Sequence, residues 1–447
     1  MSPTASTLNK AARRPYLLLR GLYSFATLTL LALLAVVLFE PGLPYLTPTP
    51  VPPARSEAAL ALIASAVEQA PLLPDDPELL ADGAAFYPAE LALIASAKNS
   101  IHLEAFIFHE TPIGRRFLDA LAARARAGVS VRVVVDAFGG LKSSDHFFDP
   151  LRAAGAKVVW YQPFRWYTLK RWNNRTHREL LIVDGRSAFI GGAGIGSAWD
   201  SGTGTGTSAL PPWRDLMVRI NGSAARSLQA VFFQDWLEAS GEILVEPESI
   251  TAAPDLLPAR LSGQRAALVV ASTPTGGRAT RARVLFQLMV AAAREQITIN
   301  SPYFVPDTAM RRALTQATAR GVRVTVITPG EHNNHLIARL ASRRHYGELM
   351  AAGVRIFEYQ PGMIHTKLML VDGTWSVIGS TNVDNRSLGL NNEVNLLLRE
   401  PAFAARLQKA VDGYLALSRE ITLVEWGMRP ILEQALAWFG SILERQE

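Results

Sequence analysis

The residues best suited to chemistry lie in one short run, His365-Thr366-Lys367-Leu368-Met369-Leu370-Val371-Asp372-Gly373, followed closely by Gly379-Ser380-Thr381-Asn382. Residues two apart on a strand project to the same face, so His365 and Lys367 are expected side by side. The unbroken apolar run Leu368 to Val371 predicts a buried strand, and Asp372-Gly373 predicts the turn that closes it. An imidazole can attack phosphorus or pass a proton near neutral pH. An ammonium beside it can neutralise phosphoryl oxygens as charge spreads onto them. Asn382 would add a neutral donor, which makes the constellation suited to phosphodiester chemistry.

The elements that must position this run occur twice. Ala153-Ala154-Gly155-Ala156-Lys157-Val158-Val159-Trp160-Tyr161-Gln162-Pro163 matches Ala351-Ala352-Gly353-Val354-Arg355-Ile356-Phe357-Glu358-Tyr359-Gln360-Pro361. Ala127 to Val135 matches Arg320 to Ile327. Apolar strands alternate with helices such as Ile113–Ala127 and Thr308–Arg320. That alternation predicts an α/β layered fold with a mainly parallel sheet in each half. A duplicated chain would bring two unlike half-sites together at a pseudo-twofold axis.

The first half carries its own copy, His177-Arg178-Glu179-Leu180-Leu181-Ile182-Val183-Asp184-Gly185, then Gly191-Gly192-Ala193-Gly194. Aligned on the second copy, His177 matches His365 and Asp184 matches Asp372. Glu179 stands where Lys367 stands, and Gly194 where Asn382 stands. A carboxylate close to a phosphodiester opposes its binding by roughly 1–4 kcal/mol at 4 Å, depending on the effective dielectric. Protonation, or pairing with Arg178 or Lys367, would relieve this. Glu179 beside His177 favours an imidazolium there, suited to a general acid. Lys367 beside His365 favours the neutral ring, suited to a nucleophile. On this reading Glu179→Lys would repair a defective first motif.

A reacting histidine needs a third group to fix its tautomer. Glu393, in Asn391-Asn392-Glu393-Val394-Asn395, and Asp215, in Trp213-Arg214-Asp215-Leu216, are the acidic candidates. Asp184 and Asp372 complete the two motifs as turn formers and scaffolding rather than proton carriers. Ten extra residues precede the first motif (Phe164 to Thr176, against Gly362 to Ile364). They interleave Arg165, Lys170, Arg171 and Arg175 with Trp166, Tyr167 and Trp172, a composition suited to gripping a phosphate headgroup at an interface. His332 and His335 lie in a polar loop and read as surface residues.

His-x-Lys, four residues, Asp, then Gly-Ser-x-Asn resembles the signature of the phospholipase D superfamily. The finer resemblance is to bacterial cardiolipin synthases. It is carried by Ile113-Gly114-Arg115-Arg116-Phe117-Leu118, Pro302-Tyr303-Phe304-Val305-Pro306, Tyr359-Gln360-Pro361-Gly362-Met363, Asn382-Val383-Asp384-Asn385-Arg386-Ser387 and Asn391 to Asn395, over roughly residues 85–445. The resemblance implies two tandem phospholipase D-like α/β/α layered domains with a shared active site. It implies a covalent phosphohistidine mechanism without a metal or cofactor, and transfer of a phosphatidyl group from one phosphatidylglycerol to another with release of glycerol. Asp215 and Glu393 stand where the superfamily has acidic partners. Glu104 stands where bacterial cardiolipin synthases carry a similar acid, as a substrate-binding candidate with Asn382, Glu179 and Arg175.

The chain has 447 residues, an apolar fraction of 49% and a net charge of +6, which favours anionic partners. It has no cysteine, which excludes disulfides and thiolate metal sites. Lys10, Arg13, Arg14 and Arg20 precede a charge-free stretch from Gly21 to Phe39. At 1.5 Å per residue such a helix just spans a hydrocarbon core of ~30 Å. This predicts an uncleaved N-terminal transmembrane anchor, with a cleaved signal peptide as the rival reading, the N-terminus cytoplasmic and the catalytic region on the outer side of the inner membrane. The expected division is a basic segment over 1–20, the anchor over 21–39, and a Pro-rich linker with short helices over 40–84. Two phospholipase D-like domains follow over 85–250 and 262–427, then an amphipathic helix over 428–447. Anionic phospholipid and the membrane are the expected partners. No long basic groove with stacking aromatics points to nucleic acid. The rival functions are a hydrolytic phosphodiesterase and a non-catalytic lipid-binding protein left by decay of the first motif.

Overall fold

The computed structural model describes residues 19–32, 50–166, 173–200, 211–245, 265–274, 279–431, 433–434 and 437. The chain divides into two compact units, Met1–Pro44 and Tyr45–Glu447. In the first, residues 19–32 are helical. Among the described residues no helix is long and apolar enough to cross a membrane. Residues 33–39 of the expected anchor lie outside the described residues.

The second unit contains both halves. The first sheet comprises β1 (Glu78–Ala81), β2 (Ser100–Ala105), β3 (Ser130–Asp136), β4 (Lys157–Tyr161), β5 (Leu180–Val183), β6 (Ser187–Gly191) and β7 (Leu216–Asn221), in the order β1-β7-β6-β5-β2-β3-β4. The second comprises β8 (Ala266–Ser272), β9 (Gln296–Asn300), β10 (Arg323–Pro329), β11 (Arg355–Tyr359), β12 (Leu368–Val371), β13 (Trp375–Gly379), β14 (Glu393–Arg399) and β15 (Ser418–Ile421), in the order β15-β11-β10-β9-β12-β13-β14-β8. The internal repeat is visible in these two orders, which match over seven strands with β15 added at one edge of the second sheet.

Neither sheet is mainly parallel. Only β2–β3–β4 and β9–β10–β11 run parallel, linked by helical crossovers. The motif strands β5 and β12 are antiparallel to both neighbours. The reason is local. A three-residue turn that begins Asp-Gly joins β5 to β6 and β12 to β13, and so tight a link can only make a hairpin. Asp184 and Asp372 adopt left-handed backbone, at φ 54° and 52°. Each carboxylate then accepts three backbone amides at the start of the neighbouring strand. Asp184 takes Lys98, Asn99 and Ser100, and Asp372 takes Arg294, Glu295 and Gln296, with contacts of 2.7–3.2 Å.

The predicted crossover helices form at Pro112–Arg126 and Thr308–Ala319, N-capped by Thr111 and Asp307. Their apolar faces supply Ile113, Phe117 and Leu121 to one outer core, and Met310 and Leu314 to the other. A third core lies between the sheets. It joins Leu180, Ile182 and Ile190 of the first half to Leu368, Leu370 and Leu396 of the second, with the helices Gly222–Ser240 and Pro401–Ala416. Burying side chains of this size stabilises by about 1.5–3 kcal/mol each.

The region expected as a Pro-rich linker with short helices is described from residue 50. Helix Glu57–Ala66, capped by Ser56, buries Leu60 and Ile63 with Val67 against the second half. Leu62 instead faces out. The Trp375 indole N–H donates to the Ala54 carbonyl at 2.6 Å. Of the expected C-terminal helix, Glu433 pairs with Arg343 at 2.7 Å, which ties that part to the catalytic unit.

Candidate active site

Both motif histidines precede their strands rather than standing on them. His177 and His365 lie in extended lead-ins to β5 and β12. These lead-ins pair across the pseudo-twofold axis instead of within their own sheets. Thr176 bridges to Asn392, and Ile364 to Arg214, in two symmetry-related parallel bridges. The His177 amide donates to the Asn392 carbonyl at 2.9 Å, and the His365 amide to the Arg214 carbonyl at 2.7 Å. The residue after each bridge partner is the acid, so each histidine meets the carboxylate of the opposite half.

His365 Nδ1 lies 2.8 Å from Asp215 Oδ2, and His177 Nδ1 lies 3.1 and 3.2 Å from the two Glu393 oxygens. With Nδ1–H donating to a carboxylate, Nε2 is left to react. Both rings line one cavity of about 380 Å³. Its wall also includes Glu179, Arg175, Asn382, Tyr303, Trp199 and Trp213. The rings are further fixed by aromatic edges. Trp199 and Trp213 lie 5.3 and 5.2 Å from His365, and Phe106 lies 5.3 Å from His177.

Lys367 Nζ sits 3.0 Å from His365 Nδ1, 3.3 Å from Nε2, and 2.9 Å from the His365 carbonyl that accepts from it. Burial first, and then the Lys367 charge, push His365 down to about 4, against the opposing pull of Asp215. The ring is therefore neutral at neutral pH. Burial would raise the Asp215 carboxyl, but the His365 hydrogen bond and the Lys367 charge outweigh it and leave Asp215 below its usual value. Burial lowers Lys367 from the usual ammonium range while Asp215, Glu393 and Glu179 pull it back up.

Glu179 faces the cavity, as its place two residues after His177 predicts. Arg178 points the other way, to Asp235 at 3.1 Å and the Val231 carbonyl at 2.9 Å. So Arg178 does not neutralise Glu179. Burial raises Glu179 well above the carboxylate range, and the Ile107 amide at 3.3 Å and Lys367 do not reverse this. Glu90 nearby is itself raised to about 8 by burial and adds to the effect. Burial thus favours the uncharged form of Glu179 and weakens the repulsion expected from the sequence.

Gly194 has no room for the asparagine of the other copy. A Cβ there would stand 2.7 Å from the Ile107 Cβ and 2.9 Å from Glu179 Oε1. Asn382 in the second half is buried, and its Oδ1 has no hydrogen-bond partner among the described residues. Gly192 is equally constrained. A Cβ would lie 2.9 Å from Lys367 Nζ and 3.1 Å from Asp215 Oδ1. The missing side chain at Gly192 makes the space in which lysine and carboxylate meet.

The other sequence candidates are sorted by the fold. Arg175 lines the cavity and is fastened to the Gln162 carbonyl at 2.8 Å. Glu104 is fully buried behind it, accepting from Thr176 Oγ1 at 2.5 Å, and does not reach the cavity. Asp184 and Asp372 also lie away from it, at the turns between hairpin strands. His335, expected at the surface, caps helix Leu336–Arg344 and borders the cavity. Sequence reasoning missed Trp199, whose indole N–H donates to Asp215 Oδ2 at 3.1 Å. The signal was available in the repeat. Ser380, the counterpart of Gly192, donates to Glu393, so the loss of that hydroxyl in the first half calls for another donor.

Two mixed sheets related by a pseudo-twofold axis, each delivering a histidine to one cavity and a carboxylate to the other's histidine, define a duplicated phospholipase D-type fold. A family model described as "Cardiolipin synthase, PLD-like domain" matches residues 91–200 and 287–414. The chain belongs to this family of phospholipase D-type enzymes. It is 33% identical over 381 residues to the cardiolipin synthase of Geobacillus kaustophilus (strain HTA426), covering 84% of this chain and 73% of that protein. It is 34% identical over 348 residues to cardiolipin synthase A of Pseudomonas entomophila (strain L48), covering 77% and 69%. Among solved structures, phosphatidylserine synthase from Haemophilus influenzae Rd KW20 matches in fold with a TM-score of 0.67 at 15% identity, over 87% of this chain and 100% of that one.

Proposed function

We propose that this enzyme transfers a phosphatidyl group between anionic phospholipids, making cardiolipin from two phosphatidylglycerols through a phosphohistidine intermediate. The observation that carries this reading is the pair of crossed histidine–carboxylate contacts facing one cavity. The family's cardiolipin synthases support the choice of substrate.

His365 is the nucleophile because it is the ring held neutral. Its Nε2 lone pair attacks the donor phosphorus as the bond from phosphorus to the glycerol oxygen breaks. His177, held through Nδ1 by Glu393, gives an Nε2 proton to that oxygen. Lys367 and Asn382 face the phosphoryl oxygens as charge develops there. In the second step a hydroxyl of the acceptor lipid gives its proton to His177 and attacks phosphorus. The N–P bond breaks and neutral His365 returns. The anchor predicted over 21–39 would hold the enzyme at the inner membrane with the catalytic unit outside the cytoplasm.

The test is lipid turnover by the full chain in mixed micelles of phosphatidylglycerol, beside His365→Ala. Cardiolipin and glycerol, lost together in the variant, are expected. Phosphatidic acid in place of cardiolipin would make water the acceptor, and no product from either protein would overturn the reading. Acid-quench trapping tests the nucleophile. Labelled phosphohistidine should persist in His177→Ala and vanish in His365→Ala, and the reverse pattern would exchange the two roles.

A further inference from the structure

Exposed apolar side chains flank the catalytic cavity on both sides of the pseudo-twofold axis, beside polar wall residues such as Asn173, Asn334 and Arg386. In the first half, β3 ends at Asp136, opposite Tyr161 at the end of β4. The Ala137 amide donates to the Tyr161 carbonyl at 3.0 Å, so the segments after both strands leave the sheet together. The first presents Phe138 and Leu141, 57% and 70% exposed, and the second presents Phe164 and Trp166, 71% and 80% exposed. In the second half the Gly330 amide donates to the Tyr359 carbonyl at 3.0 Å, the counterpart of the first contact. The segment after β10 presents Leu336 and Ile337, 65% and 38% exposed.

These segments border the reaction site itself. Phe138 lines the cavity from one side, and Asn334 and His335, immediately before Leu336, line it from the other. Tyr303, also in the wall, donates from its hydroxyl to Asn334 Oδ1 at 2.9 Å and so ties the second segment to the cavity. Large apolar side chains grouped in the open mark a surface that is covered in use. Exposed Lys142 and Arg165 sit among them, while the second segment contributes one exposed acid, Glu331. Amphipathic aromatic and aliphatic side chains with basic neighbours suit the boundary between headgroups and acyl chains of an anionic leaflet.

We infer that this rim is a lipid-docking face: Phe138, Leu141, Phe164, Trp166, Leu336 and Ile337 enter the leaflet around the cavity mouth, so that a lipid phosphodiester reaches the histidines while its acyl chains stay in the membrane. The inference rests on the lipid-transfer reading for its purpose. The occupant follows from the cavity. Two histidines at the bottom of a pocket need the phosphate, whereas the chains of the same molecule need an apolar surface at its mouth.

The absence of native cysteine allows a direct test. Leu141→Cys and Leu336→Cys would each be labelled with a polarity-sensitive dye, in the full chain reconstituted into phosphatidylglycerol vesicles that contain quencher lipids. Both positions should shift to an apolar emission and be quenched. Asp119→Cys, on the outer helix Pro112–Arg126, should stay water-like. Water-like emission at both rim positions in vesicles would overturn the inference, as would an apolar emission without lipid quenching that depends on protein concentration, which would mean a second copy covers the rim. The companion experiment is Leu141→Asp with Leu336→Asp. Turnover of vesicle lipid should fall on the order of ten- to a hundredfold, with turnover of a short-chain, monomeric phosphodiester unchanged. Equal loss on both substrates would count against docking. Quenching at both rim positions with no turnover of either substrate by the unaltered chain would leave the docking face standing and remove the transfer reading.

Discussion

The two halves hold their histidines by the same geometry but stabilise the holding carboxylates differently. In the second half Ser380, inside the motif, donates to Glu393, which grips His177. In the first half the equivalent position is Gly192, and the donor to Asp215 is the Trp199 indole. The vacated space admits the Lys367 ammonium, which comes from the other half. A pocket that needs one cation has kept one and has rebuilt the other copy around its absence. Glu179 and Gly194 fit together in the first half, an acid whose burial favours its uncharged form and a glycine with no room for a side chain beside it. The first motif packs the same site in a different way from the second.

The sharpest way to break the comparison is to remove one holding carboxylate at a time. Asp215→Asn and Glu393→Gln should each lower kcat on the order of 10³–10⁴-fold, since an amide favours the wrong tautomer. A large loss for one and a small loss for the other, in steady-state lipid turnover, would mean that only one histidine needs orientation. Lys367→Met should cost roughly 10²–10³-fold, as for a lost transition-state donor. It should also move the acid limb of the kcat/KM profile. The lysine charge helps hold His365 down near 4, so its removal raises the ring and shifts the limb to higher pH. An unmoved limb would dissociate the limb from His365.

Exchange of the two donors gives a finer contrast. Trp199→Phe and Ser380→Ala each remove one hydrogen bond to a holding carboxylate, and each should lower kcat about tenfold with KM little changed. Stability separates the scaffold from the chemistry. Asp184→Ala and Asp372→Ala each remove three amide contacts and leave alanine at positive φ, so each should destabilise by about 2–4 kcal/mol in denaturant unfolding. A loss confined to activity would contradict their scaffolding part. The smallest effect expected is for Glu179→Gln, within about threefold in kcat, because burial already favours the uncharged form of the acid that the amide replaces. Glu179→Lys should lower activity rather than restore it, since it buries a second ammonium near Lys367 where Gly194 leaves no adjustable neighbour. A gain in turnover would restore the view of a damaged motif.

Much of this was legible in the sequence. The repeat predicted two equivalent sheets, and the motif spacing set His365 beside Lys367. The Asp-Gly pairs already contained the correction to the sheet, because a three-residue link forbids the parallel neighbour that the helical alternation suggests. The crossing of Asp215 and Glu393 was not legible, because it depends on how two separately encoded halves meet, and spacing along one chain carries no record of that. Glu179 shows the other limit. Its residue type suggests a negative charge, and the pull toward its uncharged form comes from burial and from Glu90, a residue far away in the sequence. The exposed rim escaped for a related reason, since Leu141 and Leu336 become neighbours of one cavity only through the fold.

The crossed contacts also set a time order during synthesis. The ribosome completes the first half, with His177 and Asp215, well before Glu393 has emerged. Until β14 docks, His177 has no carboxylate to fix its ring, and until the lead-in to β12 docks, Asp215 has no histidine to hold. A chain that ends before Glu393 can orient His365 but not His177. Both rings are held only once the two halves have met, so the complete pair reports that both halves have been built.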